Sequence, residues 1–283
     1  MAATTVPRLQ ILGAALLFST GGAAIKACSL TNWQIASFRS GIAALALLLV
    51  LPGSRRWWRP RALAVGAVYA ATMILYVSAN KLTTAANTIF LQSTAPLYLL
   101  LLGPWLMQEK VRRKDVLFVS SLGLGLAMFF LGVDPPQETA PAPLIGNVLA
   151  ATAGLTWALT ILGLRWLGQR DGKIGGEAEA SVVAGNLIAC LCCLPLAWPV
   201  VGSRMLDWTL VGYLGVFQIG LAYFFLTRGV RRISALETSL LILLEPVLNA
   251  FWAWLVHGEQ PGPWSLAGCS LILGSTLLFT LRR

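Results

Sequence analysis

The segment TAPLYLLLLGPWLMQEKVRRKD at 94–115 returns 150 residues later as LEPVLNAFWAWLVHGEQPGPWS at 244–265. Pro96 falls on Pro246 and Glu109 on Glu259, each proline 13 residues ahead of its glutamate. An apolar helix with a proline inside it and a glutamate at its close, used twice, marks an internal duplication. The flanks of the two copies differ. The first runs into Lys110, Arg112, Arg113 and Lys114, the second into HGEQPGP, which holds no Lys or Arg. Cytoplasmic loops of membrane proteins concentrate Lys and Arg, so this contrast sets the copies in opposite orientations. Inverted repeats are a common frame for secondary transporters, with the substrate bound near the midplane where the repeats meet.

A membrane setting follows from composition. Hydrophobic residues make up 57% and charged residues 11% of the 283 positions, against roughly 25% charged in soluble domains. About 20 mostly apolar residues cross the hydrocarbon layer. Ten such stretches are present, near 9–27, 33–51, 61–80, 84–107, 113–132, 144–167, 178–200, 208–228, 235–256 and 263–281. Continuous apolar runs without period-two alternation predict helices rather than a barrel. With the N-terminus inside, 17 basic residues fall in inside segments and three (Lys26, Lys81 and Arg204) outside. That bias requires an even number of spans and places both termini in the cytoplasm. The net charge of +10 is then a topology signal and not a nucleic-acid footprint.

The proline-rich, acidic linker at 133–143 separates five expected spans from five. Five is odd, so the second set enters the membrane with reversed polarity. The expected organisation is an all-α membrane protein with ten transmembrane helices as a 5+5 inverted repeat. Residues 1–132 form the first five-helix repeat and 144–283 the second, inverted one.

These residues carry a family likeness. Pro96, Trp105-Leu106, Glu109 and Gly123-Leu124-Gly125 in the first copy match Glu245-Pro246, Trp254-Leu255, Gly258-Glu259 and Gly268 in the second. With the stretch from Trp33 to Arg39, the pattern resembles the EamA family of the drug/metabolite transporter superfamily. The length and aromatic content look most like the family's bacterial amino-acid exporters, the aromatic amino-acid exporters included. The resemblance implies ten helices and cytoplasmic termini. It also implies a central cavity between two five-helix bundles, lined mainly by the first, third, fourth, sixth, eighth and ninth spans. It further implies export of a small metabolite from a bacterial inner membrane, an amino acid or, as the alternative, a drug or nucleotide-sugar-like compound; the chain is expected to act as a monomer. Gln108 stands where the second copy has Gly258, a departure from the small-residue-Glu pattern.

Glu245 is the sharpest functional candidate, roughly 15 Å into the ninth span by helical rise. An ionisable group there costs several kcal/mol unless paired, protonated or hydrated. It either serves substrate or proton, or is satisfied by Arg39 or by backbone freed at Pro246. Arg39 either snorkels to the outer surface or meets a substrate carboxylate. Pro96 and Pro246 each remove a backbone hydrogen bond and are the expected hinges of the two bundles. Thr88 and Gln92 share a face at i, i+4, and Thr238 and Glu245 share the equivalent face, which Asn249 continues. Trp157 and Gln218 lie at mid-depth in their spans, and Tyr76 nearer the outside. Together these suit a small zwitterion with an apolar side chain, such as an amino acid. Ordinary helix packing is the alternative for each, and the interfacial aromatic belt a further one for Tyr76. Glu109 and Glu259 close their helices as fasteners or gates; a neighbouring helix N-terminus would hold a carboxylate so placed.

Other chemistry finds no residues. The single histidine, His257, lies at a helix end, and no serine nucleophile motif or GxxxxGK[ST] loop occurs. Cys190, Cys192 and Cys193 have no histidine near them and are small packing residues. No catalytic residue, metal site or cofactor is expected. The expected partners are a small-molecule substrate and the lipid bilayer.

Overall fold

The computed structural model describes residues 2–106, 113–170, 176–229 and 241–281. Its helices are α1 (Ala2–Ser19), α2 (Gly21–Ala27), α3 (Asn32–Val50), α4 (Pro60–Leu82), α5 (Ala85–Gln92), α6 (Ala95–Leu106) and α7 (Arg113–Leu131). They continue as α8 (Pro143–Arg170), α9 (Glu177–Ala197), α10 (Met205–Tyr213), α11 (Ala222–Gly229), α12 (Leu244–His257) and α13 (Pro263–Leu281). A π-helical stretch, Leu214–Leu221, joins α10 to α11. No β-strand occurs among the described residues.

Eight helical stretches are long and apolar enough to cross a bilayer, and Asp115–Leu131 is apolar but shorter. Each answers to one expected span; the expected ninth, 235–256, is described only from 241 onward. Large apolar side chains on the periphery stay open, Leu49 at 83% and Leu191 at 65%. In water such a surface would be a liability, whereas hydrocarbon is its natural solvent. The chain is a multi-pass membrane protein.

Three expected spans are not continuous helices among the described residues. The first breaks at Thr20, ahead of Gly21-Gly22, and the fourth at Ser93 and Thr94, ahead of Pro96. Proline explains the second break, since it cannot donate to the Gln92 carbonyl. Local hydroxyls brace the turn: Thr94 Oγ1 donates to the Leu91 carbonyl at 2.6 Å and Ser93 Oγ to that of Ile89 at 2.7 Å. The turn before Pro246 falls at Leu243, the matching place in the second copy.

Packing crosses the two halves of the sequence. Helix α8 lies on α4 and α5, and α1 lies on α11 and α12. Helix α9 packs against α3 and α4, the π stretch against α3, and α7 against α13. The packed units are therefore not the two sequence halves: each half lends its first span to the other.

Lipid tails are as apolar as leucine, so close contact between small residues drives such packing. At the α4–α9 crossing, a Cβ on Gly66 would lie 2.8 Å from the Gly185 backbone nitrogen. One on Gly185 would lie 2.7 Å from the Gly66 carbonyl. Backbone cannot yield as a side-chain tip can. Gly66→Ala is expected to destabilise the protein by about 1–3 kcal/mol, read as a lower melting temperature in detergent. Gly123→Ala is the matched control, since nothing lies within 4 Å of a Cβ there. Equal melting of the two variants would refute the contact.

Candidate functional site

A buried polar cluster stands where the packed units meet, and it is built around the interrupted helices. Gly21 and Gly22 open α2 directly after the break at Thr20. A Cβ on Gly21 would lie 2.9 Å from Gln218 Nε2, and one on Gly22 would lie 2.5 Å from Asn249 Oδ1. The glycines thus leave room for Gln218 on one side and Asn249 on the other. Gln218 belongs to the π-helical stretch, a distortion frequent at functional sites. Asn249 Nδ2 donates to the Tyr76 hydroxyl at 3.4 Å. The side-chain oxygens of Gln218 and Asn249 are both buried without a partner among the described residues.

Glu245 lies one helical turn before Asn249, on the same face of α12. Its side chain is half-buried among the surrounding helices. It stands within electrostatic reach of Tyr76 and Tyr223. Among the described residues, no cation pairs with it.

Arg39 does not snorkel. It is 1% exposed, and one Nη donates to the thioether of Met73 at 3.7 Å while Nε has no partner. Tyr69, Tyr76 and Tyr223 stand around it. Tyr69 and Tyr223 pack edge to face, with centroids 6.1 Å apart, and Asn186 Nδ2 reaches the Tyr69 hydroxyl at 3.4 Å. The outward route for the guanidinium is closed because α9 and the π stretch cover that part of α3.

The sequence candidates divide. Tyr76, Gln218, Glu245 and Asn249 come together, and Trp157 packs against the neighbouring group that holds Tyr69 and Tyr223. Tyr76 is buried and hydrogen-bonded, which removes it from the aromatic belt. Thr88 is fully buried and its hydroxyl donates to the Thr84 carbonyl at 3.0 Å, within its own helix. Gln92 is half-buried at the end of α5, where its carbonyl lies against Gly154 of α8. No hydrogen bond joins Thr88 or Gln92 to the Tyr76–Asn249 pair. Thr238 and Glu109 lie outside the described residues. Sequence reasoning missed Tyr69 and Tyr223; the seven-residue spacing of Tyr69 and Tyr76, two turns of one helix face, was the available signal for the first.

A second constellation seals the end of the bundle near the linker. Gly258 ends α12 in the left-handed region at φ 66° and turns the chain so that Glu259 points back. Glu259 Oε2 accepts the Ala85 backbone N–H at 2.8 Å, at the N-terminus of α5. Its Oε1 lies 2.9 Å from Lys26 Nζ, with both side chains buried. The ammonium also donates to the carbonyls of Thr83, at 2.8 Å, and Thr139. Lys26 is therefore not a solvated loop charge.

Known proteins share this frame. The EamA-like transporter family matches residues 8–131 and, a second time, 144–281. The threonine/homoserine exporter RhtA of Salmonella typhimurium (strain LT2) is 30% identical over 188 residues, 64% of this chain and 61% of that one. RhtA of Escherichia coli (strain K12) is 27% identical over 182 residues, 63% and 59% of the two chains. The aromatic amino acid exporter YddG of Ancylobacter novellus is 26% identical over 211 residues, 73% and 70% of the two. The match to RhtA thus spans about three fifths of that protein's length. A protein of known crystal structure superposes with a TM-score of 0.63 at 22% identity, over 99% of this chain and 97% of that one, and so shares the fold.

Proposed function

The chain belongs to the EamA-like transporter family, and on that premise we propose that it exports amino acids or closely related small metabolites by alternating access. It is a transporter and not an enzyme, set in the inner membrane. The cargo would bind in the cluster of Tyr76, Gln218, Glu245 and Asn249, with Trp157 beside it. Pro96 and Pro246 would serve as hinges where their helices already break.

The observation that carries this is Glu245, set one turn before Asn249 of the buried polar cluster and without an ion-pair partner among the described residues. An ionisable group held that way in a membrane marks a substrate or ion path. Interrupted helices beside it are a recurring construction of transporter sites.

The helix pairings support a 5+5 inverted repeat. Counting in spans, the third lies on the sixth and the eighth on the first; the fourth lies on the sixth and the ninth on the first. The third lies on the seventh and the eighth on the second, while second–seventh and fifth–tenth pairs map onto themselves. Exchanging span n for span n+5 leaves this set unchanged, as a pseudo-two-fold axis would. Two separate family matches, one on each side of the linker, agree with it. Both termini then face the cytoplasm, where the basic residues concentrate.

Liposomes holding the purified protein and loaded with radiolabelled threonine, homoserine or phenylalanine provide the test. At least one should leave faster than from protein-free liposomes. Efflux of only nucleotide sugars or polycyclic cations from parallel liposomes would refute the amino-acid assignment and leave a transporter of another cargo.

A further inference from the structure

Arg39 is a full charge inside the protein with no carboxylate paired to it among the described residues. Guanidinium does not deprotonate in proteins, so burial cannot silence it as it can a lysine. A buried ion without a partner carries a penalty of several kcal/mol. Its neighbours are three neutral phenols, Tyr69, Tyr76 and Tyr223, and a thioether, and none of these carries opposite charge. Among the described residues no carboxylate pairs with it. An anion arriving there would remove the penalty, and the planar fork of donors matches a carboxylate.

Glu245 presents the mirror case across Tyr76: Arg39 touches Met73, one turn before Tyr76 on α4, and Asn249, one turn after Glu245 on α12, donates to the Tyr76 hydroxyl. Tyr76 and Tyr223 stand within electrostatic reach of Arg39 and of Glu245 alike. The cation and the anion therefore flank the same two rings without closing on one another. A free carboxylic acid would satisfy Arg39 and be repelled by Glu245. A cationic drug would meet the reverse, and a phosphate dianion would add a second charge against Glu245. A molecule carrying both charges a few bonds apart satisfies both.

Building on the amino-acid exporter assignment above, we propose that Arg39 is the carboxylate anchor of a zwitterion site whose ammonium anchor is Glu245. Tyr76 and Tyr223 separate the two anchors, and Asn249 positions Tyr76 through its hydrogen bond. The site admits α-amino acids and discriminates against analogues that have lost either charge.

Binding to the purified full-length protein, measured by calorimetry, tests this without need of flux. The probes are L-threonine, L-homoserine and L-phenylalanine, each with its amide, which lacks the carboxylate, and its N-acetyl derivative, which lacks the ammonium. In the native protein each derivative should bind at least about tenfold more weakly than its parent, the scale of a lost charge-assisted contact. Arg39→Gln should weaken the parent amino acid by a similar factor and leave the amide unchanged. Arg39→Lys, which keeps the charge but not the fork, should fall between. Glu245→Gln should weaken the parent and leave the N-acetyl derivative unchanged. If Arg39→Gln weakened amide and parent equally, the arginine would be a packing residue and the proposal would fail. Equal binding of amide and parent by the native protein would also defeat it, whether or not any variant folds. If the native protein bound none of the three amino acids, the exporter assignment itself would fall. Amino-acid binding indifferent to Arg39 would overturn only the anchor.

Discussion

Lys26→Met is expected to lower stability by about 3–5 kcal/mol, the scale for removing one partner of a buried ion pair. Glu259 would remain buried with its charge uncompensated, held only by the Ala85 N–H. The Thr83 and Thr139 carbonyls would lose their donor as well. Glu259→Gln is gentler, since an amide oxygen still accepts from Ala85, but it leaves Lys26 unpaired. In the double variant Lys26→Met, Glu259→Gln neither charge is stranded, so it should melt above Lys26→Met alone. Thermal melting of the four proteins in one detergent closes the cycle. Strictly additive losses would mean that the two side chains are neighbours without coupling.

The same constellation makes a second large effect accessible. Lys26 and Glu259 come from the first and ninth spans, which pack together, and they grip Thr83 and Ala85 at the join of the third and fourth. Opening this end of the bundle requires that grip to release. Glu138 and Gln260 are exposed and each adjoins a member of the grip. With native cysteines replaced, Glu138→Cys and Gln260→Cys joined by a short bifunctional thiol reagent should hold the end shut. Efflux from liposomes should then fall to background while amino-acid binding by the same protein persists. Reducing a cleavable linker should restore efflux. Full efflux through a locked protein would disprove alternating access by release of this end.

Several members of the candidate cluster were legible in the chain before any coordinates. Pro96 and Pro246 announced the helix breaks because a missing N–H acts locally, whatever the surroundings. Glu245 announced itself because a carboxylate in an apolar run is costly at any rotation of the helix. Asn249 followed from it by helical period. The neighbouring N-terminus expected to hold Glu259 is that of α5, and Gly258 shows why a small residue precedes it: the turn needs a positive φ. Thr88 was harder to judge, since a threonine in a helix can satisfy itself on the preceding turn. Arg39 was expected to have a route outward. Its burial depends on α9 and the π stretch lying across α3, contacts from positions far along the chain. Lys26 counted only as one basic residue near a boundary, because its partner Glu259 is 233 positions away.

Composition and local pattern are enough to establish a helical membrane protein, the breaks ahead of Pro96 and Pro246, and the sign of charge on each loop. These are properties of single segments, set by the chemistry of the backbone and by the cost of taking charge into hydrocarbon. Which helices meet is another matter. Lipid and protein interior are almost equally apolar, so a leucine carries no mark of whether it faces a chain or a neighbouring helix. The packing of each half's first span on the other half rests on glycine contacts such as Gly154 on the Leu91 carbonyl and Gly229 on that of Pro7. Such a contact exists only once two distant segments lie together, and there the fold adds what the chain alone left open.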